Sequence, residues 1–574
     1  MASEQDHVEA PLALSKYSKR AILETLLSRP DGGTGLIGQR TVIGGWVKSS
    51  REFRKEVPQS VEAPPPAVEV GEHKDATCME ILQSKLPFFR SILKAFGGEH
   101  RIREKLDAIL PKPPQPSISI LQVSDGSCVP SLQVLVDSAL ASPSQVMPTG
   151  TCILVEGILQ KPSLQGKETI ELKTEKILHI GTVDQDRYPL SKKRLPLELL
   201  RDSTHFRPRT TTVASVMRIR NTLNQATYTF FQQNGFLHVQ VPIITTVDSE
   251  GHGEIFHVTT LLGKHNAEDQ NPTHEGIKIE DIKASIKETE SKSKDHAAES
   301  KVNLSEDYFN CETNLTNSGR LHLESYACAL GNVYAYGPRF EAKRFESKKM
   351  LAEMWTVEIE MAFSHLEDSM ECASDFLKFM CKWVLENCDE DLKFVSKRVD
   401  RLVVDRLQLI ASGSFEKISY TEAVQVLKQV TERNFEAKVE WGVPLNEEHE
   451  SYLTDEIYKK SLIIYDHPKE LKPFHVRLND DGKTVATFDV IIPKVGTIIR
   501  GSQNEERFNL LSARIKELGL EKKQYEWYLD LRKHGAVKCS GFSFLFDPLV
   551  LYATGLNDVR DAVPFPRSFG KANN

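Results

Sequence analysis

The run Thr41-Val42-Ile43-Gly44-Gly45-Trp46-Val47-Lys48 is β-branched and partly alternating, which predicts a strand. Runs of matching character come only at 118–123, 132–136 and 153–159. An insertion therefore separates the strand from its partners. Pro-rich stretches at 57–70, with Pro64-Pro65-Pro66, and at 111–116 read as extended linkers. Between them Met79, Leu82, Leu86, Phe89, Leu93 and Phe96 form one amphipathic stripe, Gly97-Gly98 a break, and Ile102, Leu106 and Ile109 a second stripe. The reading is a helical hairpin inserted at 56–116, either a docking element or a tethered spacer. Residues 36–180 then form an interrupted five-strand barrel of OB type, with turns such as Ser124-Asp125-Gly126-Ser127, any other small β-barrel being the alternative. Upstream, Lys16 to Leu27 carry apolar positions at helical spacing and Pro30-Asp31-Gly32-Gly33 stops that helix, giving an N-terminal helical extension over 1–35.

Downstream, a helix is predicted from Val213 to Gln233, then Gly235-Phe236 and a strand from Leu237 to Val241 ending at Pro242. No aromatic occurs between Phe256 and Tyr308, and 263–306 is rich in Lys, Glu, Asp and Ser, so this segment is expected to be a mobile charged insertion. From Tyr308 onward β-branched runs alternate with helices expected at 367–388, 420–430, 449–462 and 504–516. Residues 195–574 thus read as a sheet flanked by helices, and the whole chain as α+β.

Composition narrows the functional classes. Against 80 Asp plus Glu stand 73 Lys plus Arg, a net charge of −7, so a polyanion is held by a local patch and not by bulk basicity. The nine Cys are scattered with no CxxC spacing, which argues against a metal knuckle and for a reducing compartment. The first residues, Met1 to Glu9, lack an apolar secretion core and are too acidic for a transit peptide. No apolar run approaches the ~18 residues of a membrane span. A cytoplasmic protein without membrane association is expected.

Further motifs carry a resemblance. Trp46-Val47 and Asp125-Gly126-Ser127-Cys128 through Leu132-Gln133-Val134, then His205-Phe206-Arg207-Pro208-Arg209-Thr210 with the helix after it and Pro242, come first. Ser318-Gly319, Tyr334 to Phe340 with Gly337-Pro338, and Leu351 to Glu358 follow. Phe488-Asp489, Gly501-Ser502-Gln503, Tyr528 to Arg532 and Gly555 to Arg567 complete the series. In this order they resemble the class II aminoacyl-tRNA synthetases, and in detail the cytosolic eukaryotic asparaginyl-tRNA synthetases. The resemblance implies an anticodon-binding barrel at 36–180, a class II catalytic domain with an antiparallel sheet at 195–574, ATP and Mg²⁺ as cofactors, tRNA as partner, and a homodimer built on the 213–242 region. A hybrid dimer with a catalytically complete paralogue is the extension of that idea.

Adenylate formation sets a carboxylate against the α-phosphate of ATP, so charge developing on the phosphoryl oxygens must be met by Arg forks and Mg²⁺. The family's second motif reads Phe-Arg-x-Glu, whereas this chain has Phe340-Glu341-Ala342-Lys343, both charges inverted. Its third motif ends Glu-Arg, with the Arg on the γ-phosphate side; here stand Asp547 and Pro548. Between them the family's Gly-Glu-Ile-Ile-Gly-Gly-Ser-Gln-Arg is Gly496-Thr497-Ile498-Ile499-Arg500-Gly501-Ser502-Gln503-Asn504, which removes a Mg²⁺ ligand at Thr497 and the reader of the amino-acid side chain at Asn504. The family's Ser-Gly-Gln-Leu is Ser318-Gly319-Arg320-Leu321. In the barrel, the Phe that stacks on an anticodon base corresponds to Ile118, while Gln133 is kept beside Trp46.

Glu341, Lys343, Thr497, Asn504 and Pro548 are thus the family's catalytic positions, all substituted. Ser318, Arg320, Arg339, Glu358, Asp489, Arg500, Ser502 and Gln503 are the implied substrate and ATP contacts, and Trp46, Ile118 and Gln133 the implied anticodon contacts. Asp489 is either a metal ligand or a hydrogen-bonded structural residue. Glu358 and Glu360, alternate positions on one strand face, either meet a substrate amide or form a buried pair bonded to Arg groups. Arg339, Lys343, Arg344 and Arg500 keep the cleft attractive to anions, but a displaced charge is not a fork aimed at a transition state. The expected function is that of an asparagine–tRNA ligase family member impaired or inactive in this copy. The alternatives are a non-catalytic paralogue that binds tRNA, nucleotide or a synthetase partner, a working ligase with a rearranged site, and a metabolic ligase on the same fold.

Overall fold

A computed structural model describes residues 15–54, 116–163, 169–190, 195–249, 254–261 and 304–572. The inserted hairpin at 75–110 and the charged segment, except for a 3₁₀ turn at Leu304–Glu306, lie outside the described residues. The chain divides into two compact units, Met1–Arg194 and Leu195–Asn574.

The first unit is a closed five-stranded barrel of strands β1 (Arg40–Arg54), β2 (Ser117–Ser124), β3 (Leu132–Asp137), β4 (Cys152–Gln160) and β5 (Glu171–Gly181), in the order β1-β2-β3-β5-β4. The first half of β1 pairs with β4 and the second half with β2, the exchange falling at Trp46. Gly45 permits it, since a Cβ there would lie 2.6 Å from the Ser124 carbonyl oxygen. Alternate residues Ile43, Val47, Leu121, Val123, Val134, Val136, Ile153 and Val155 fill the interior.

The helix expected over Lys16–Leu27 is confined to Leu23–Leu27. Lys19 turns the chain at φ +49° and Ile22 is extended, so apolar spacing is present without helical backbone. The barrel starts the helix instead: Asp125 Oδ2 accepts from the Leu23 N–H and Ser127 Oγ from the Glu24 N–H, both at 3.0 Å.

In the second unit an eight-stranded sheet contains β6 (Leu237–His238), β9 (Asn332–Phe340), β10 (Glu353–Ala362), β11 (Glu416–Ser419), β12 (Leu462–Pro468), β13 (Thr484–Ile492), β14 (Gly496–Gln503) and β15 (Cys539–Leu545). Its order is β11-β12-β13-β14-β15-β10-β9-β6, antiparallel in the centre with a parallel pair at each edge. A two-stranded sheet, β7 (Ile244–Thr245) with β8 (Asn314–Leu315), accompanies it. The side-chain alternation gives the large sheet two characters. Phe488, Val490, Ile499, Phe542, Phe544, Val357 and Ile359 share one core with Val216, Leu223 and Phe230 of helix Thr211–Gln233, Phe376 and Met380 of helix Leu366–Asn387, and Phe546 and Val550 of helix Phe546–Thr554. The intervening positions are polar and point the other way.

Several boundaries differ from expectation. The strand ending at Pro242 has only two paired residues, although the Val239 N–H still reaches the Tyr334 carbonyl at 2.8 Å. The helix expected at 449–462 runs Glu447–Ser451 and continues as a π turn over Tyr452–Ile457; Lys459, at φ +51°, ends it and Leu462-Ile463-Ile464 opens β12. The helix expected from 504 begins at Phe508, because the N–H groups of Asn504 and Glu505 bond the carbonyls of Cys539 and His475, each at 2.8 Å. Helices Arg320–Leu330, Asp389–Arg398, Val403–Ser412, Glu526–Lys533 and Phe546–Thr554 were not anticipated as elements. Every residue of the last is buried, so it lacks the polar stripe that betrays a surface helix.

Candidate active site

Strand register assembles the site from distant parts of the chain. One cross-strand row runs Asp489 (β13), Arg500 (β14), Ser543 (β15), Glu358 (β10); the next runs Thr487, Ser502, Gly541, Glu360. These polar positions floor a cleft with two adjoining cavities of about 290 and 400 Å³. Arg339, Leu445, Glu450, Thr497, Arg500 and Leu545 line both. Glycine at 541 is required by the sheet itself, since a Cβ there would lie 1.9 Å from the Ile359 carbonyl oxygen.

Arg320, in the first turn of its helix, projects across the second row. Its Nε donates to Glu360 Oε1 at 2.8 Å, Nη2 lies 2.6 Å from the same oxygen, and Nη1 donates to Ser502 Oγ at 2.9 Å. Asn504 closes the network, its Nδ2 donating to Glu360 Oε2 at 3.0 Å. Burial pushes the Glu360 carboxyl up, against the pull of Arg320. Glu358 is equally committed: Ser318 Oγ at 2.6 Å, the Gly319 N–H at 2.7 Å and Ser543 Oγ at 3.1 Å all donate to it. Gln503 is buried in β14, where its carbonyl accepts from the Arg477 N–H at 2.9 Å.

At the end of β9, Glu341 sits between two cations, ion-paired with Arg339 and 2.9 Å from Lys343 Nζ. Arg344 is exposed. Pro548 lines the larger cavity from the first turn of its helix, where backbone N–H groups have no intrahelical acceptor, so proline is tolerated. Beside it Asp547 is wholly buried, bonded to Arg220 at 2.5 Å and to the Trp355 N–H at 2.8 Å, and acts as a brace between helices and sheet.

The residues present do not suit Mg²⁺. Asp489 Oδ2 is held by Lys472 Nζ at 2.7 Å and faces His467 Nε2 at 3.3 Å. Burial opposes its charge, yet Lys472, His467 and Arg500 hold the carboxyl down at about 2. Its Oδ1 has no hydrogen-bond partner among the described residues, but the acidic group that lines the same cavity is already engaged: Glu450 accepts from the Thr497 hydroxyl at 2.7 Å and from the Thr497 N–H at 3.0 Å. Among the described residues, the one constellation with three groups close enough to share an ion is Glu324, Cys328 and Cys539, which does not include Asp489. Sequence reading passed over Lys472, His467 and Glu450, because each becomes a site residue only through its register or packing against β13 and β14.

In the barrel, Gln133 is buried; its Nε2 donates to Glu171 Oε2 at 2.6 Å. Trp46 and Ile118 are half-buried, and Ile118 pairs across β1 with Phe53, which is 51% exposed.

An antiparallel sheet bearing its cleft on one face and its helices on the other is the architecture of a class II aminoacyl-tRNA synthetase, and residues 197–267 and 283–569 match the family of class II tRNA synthetases (D, K and N). Asparagine–tRNA ligase, cytoplasmic 2, of Arabidopsis thaliana is 49% identical, covering 98% of this chain and 97% of its own. Asparagine–tRNA ligase of Protochlamydia amoebophila is 41% identical over 80% of this chain and 92% of its own. The crystal structure of asparaginyl-tRNA synthetase from Pyrococcus horikoshii complexed with asparaginyl-adenylate superposes with a TM-score of 0.68 at 23% identity, covering 96% of this chain and 99% of that one. The chain belongs to the asparaginyl-tRNA synthetase family. Among the described residues no helix is long and apolar enough to cross a membrane.

Proposed function

We propose that this chain keeps the fold of an asparagine–tRNA ligase, binds tRNA, and forms asparaginyl-adenylate slowly or not at all. The observation that carries the reading is Glu341, paired with Arg339 and Lys343 where the family's second motif presents an Arg to the α-phosphate. Those two cations serve a carboxylate of the chain itself, and a polyphosphate approaching them meets a negative charge. Three further features support the reading. Pro548 offers no guanidinium to a γ-phosphate, Thr497 spends its hydroxyl on Glu450, and Arg320 projects over Glu360 and Ser502. Losing one such clamp lowers rates by roughly 10² to 10⁵, and groups that act as a unit are not restored singly. The chain acts in the cytosol as a dimer through helix Thr211–Gln233 and the segment up to Pro242, with the barrel meeting the anticodon.

A second reading, a working ligase with a rearranged site, is favoured by Arg320, which returns a guanidinium to the amino-acid end where Asn504 has lost one. ATP–pyrophosphate exchange with asparagine separates the two without involving tRNA. The proposal expects exchange at background. Exchange on the order of 1 s⁻¹, typical of enzymes, would overturn it and pass the phosphate clamp to Arg339, Lys343 or Arg500.

A further inference from the structure

Helix Arg320–Leu330 and strand β15 bring together two thiols 211 positions apart in the sequence. The sulfurs of Cys328 and Cys539 and a carboxylate oxygen of Glu324 all lie within 4.8 Å of one another. Cys539 is fully buried at the start of β15, whereas Cys328 is half-buried beside the exposed Ala329 and Leu330 and is the less enclosed residue of the pair. A shared metal fits this cluster poorly. Glu324 is spent on Arg532 Nη2 at 2.7 Å and on the Tyr528 hydroxyl, and the Arg532 guanidinium would face any dication. Two sulfurs remain, with no third ligand to spare.

We propose that Cys328 and Cys539 form a redox-active dithiol that closes to a disulfide on exposure to a peroxide. The Cys328 sulfur, as thiolate, attacks one peroxide oxygen; the O–O bond breaks and the first water leaves after protonation. Cys539 then attacks the resulting sulfenic sulfur, the S–S bond forms and a second water departs. Two thiols are oxidised by two electrons and one peroxide is reduced to two waters. Hydrogen bonding from Cys539 holds the Cys328 thiol below its ordinary value and raises that of Cys539, which makes Cys328 the attacking group. Closure requires the sulfurs to move to about 2 Å, and it ties two segments that carry the cleft. Cys328 shares its helix with Arg320, and the Cys539 carbonyl accepts the Asn504 N–H at 2.8 Å. The cross-link thus clamps both sides of the Arg320–Glu360–Asn504 network. This inference is independent of whether the chain charges tRNA.

The test uses the full-length reduced protein, treated with hydrogen peroxide, quenched with an alkylating reagent and mapped by peptide mass spectrometry without reduction. The expected result is an intramolecular link between the Cys328 and Cys539 peptides, loss of two of the nine thiols, and full recovery with dithiothreitol. Cys328→Ser and Cys539→Ser should each abolish the link, while the wild-type mapping stands even if a variant folds poorly. Both thiols remaining separately alkylatable after the exposed Cys311 has been oxidised would overturn the proposal. So would a link between chains through Cys311 in its place, or one equivalent of Zn²⁺ retained through desalting and shielding the pair, which would make the cluster a metal site.

Discussion

Arg320 Nη2 lies 2.6 Å from Glu360 Oε1 at the floor of the cleft, with the Arg320 side chain 8% exposed and that of Glu360 not at all. Helix and strand are thereby locked together across the end of the site that in the family reads the amino-acid side chain. Removing one partner of a buried pair costs about 3–5 kcal/mol, because the other is left buried without its counterpart. Arg320→Ala should lower stability by that amount in urea unfolding. Arg320→Met combined with Glu360→Met should recover most of the loss, giving a coupling energy well outside additivity. Additive effects would mean the pair is solvated.

Acid should unfold the protein earlier than its carboxylates alone dictate. Burial holds His467 and His475 down at about 3, His467 facing Lys472, Asp489 and Arg500, and His475 facing Arg320 and Arg532. In the unfolded chain each takes a proton near pH ~6.5. Between about pH 3 and 6.5 the unfolded state therefore binds more protons at these two histidines, and their contribution to stability falls as pH falls, by roughly 1.4 kcal/mol per pH unit for each. Asp489 adds to the loss only below its ordinary value of 3.8, as pH approaches 2. Glu360 and Glu450, whose carboxyls burial pushes up, oppose part of this loss, so the histidine contribution is read by difference: between pH 7.5 and 5 the urea midpoint of the parent should fall relative to that of His467→Gln. A parent-to-variant difference that does not change with pH would contradict a neutral buried His467.

Glu341→Ala deletes the carboxylate bound to Arg339 and Lys343. Affinity for inorganic tripolyphosphate, measured by calorimetry at low salt, should rise about five- to tenfold, on the order of 1 kcal/mol. The gain should shrink at molar salt as screening shortens to ~3 Å. An unchanged affinity would place the anion site elsewhere.

Thr497→Glu sets a carboxylate against Glu450 and near Asp489, which line the same cavity wall. The variant should melt below the parent without divalent cations and regain stability in millimolar Mg²⁺, because two or three carboxylates then face one another. The parent, with Thr497 bonded to Glu450, should show no Mg²⁺ response. A Mg²⁺-induced rise in the melting temperature of the parent would contradict the poor fit of this site to the metal.

The barrel was legible because its strands alternate: Ile43, Val47, Val134, Val136, Ile153 and Val155 advertise an inward face by spacing alone. Helices Thr211–Gln233 and Leu366–Asn387 were legible for the same reason at helical period. Helix Phe546–Thr554 was not, since burial on all sides erases periodicity. The short helix Leu23–Leu27 was overextended because its start is fixed by Asp125 and Ser127, about a hundred residues away.

By itself the sequence determined the barrel strands, the long periodic helices, the family and the identity of each replaced charge, since these reside in local pattern and in single residues read one at a time. Only the tertiary structure decided what those charges do. Glu341 neutralises its own neighbours, Thr497 is bound to Glu450, and Asp489 is held by Lys472. Arg320 closes on Glu360, forty positions away and on another element. A charge acts through the distance and burial of its partners, and for residues brought together by strand register those quantities exist only once the sheet has formed.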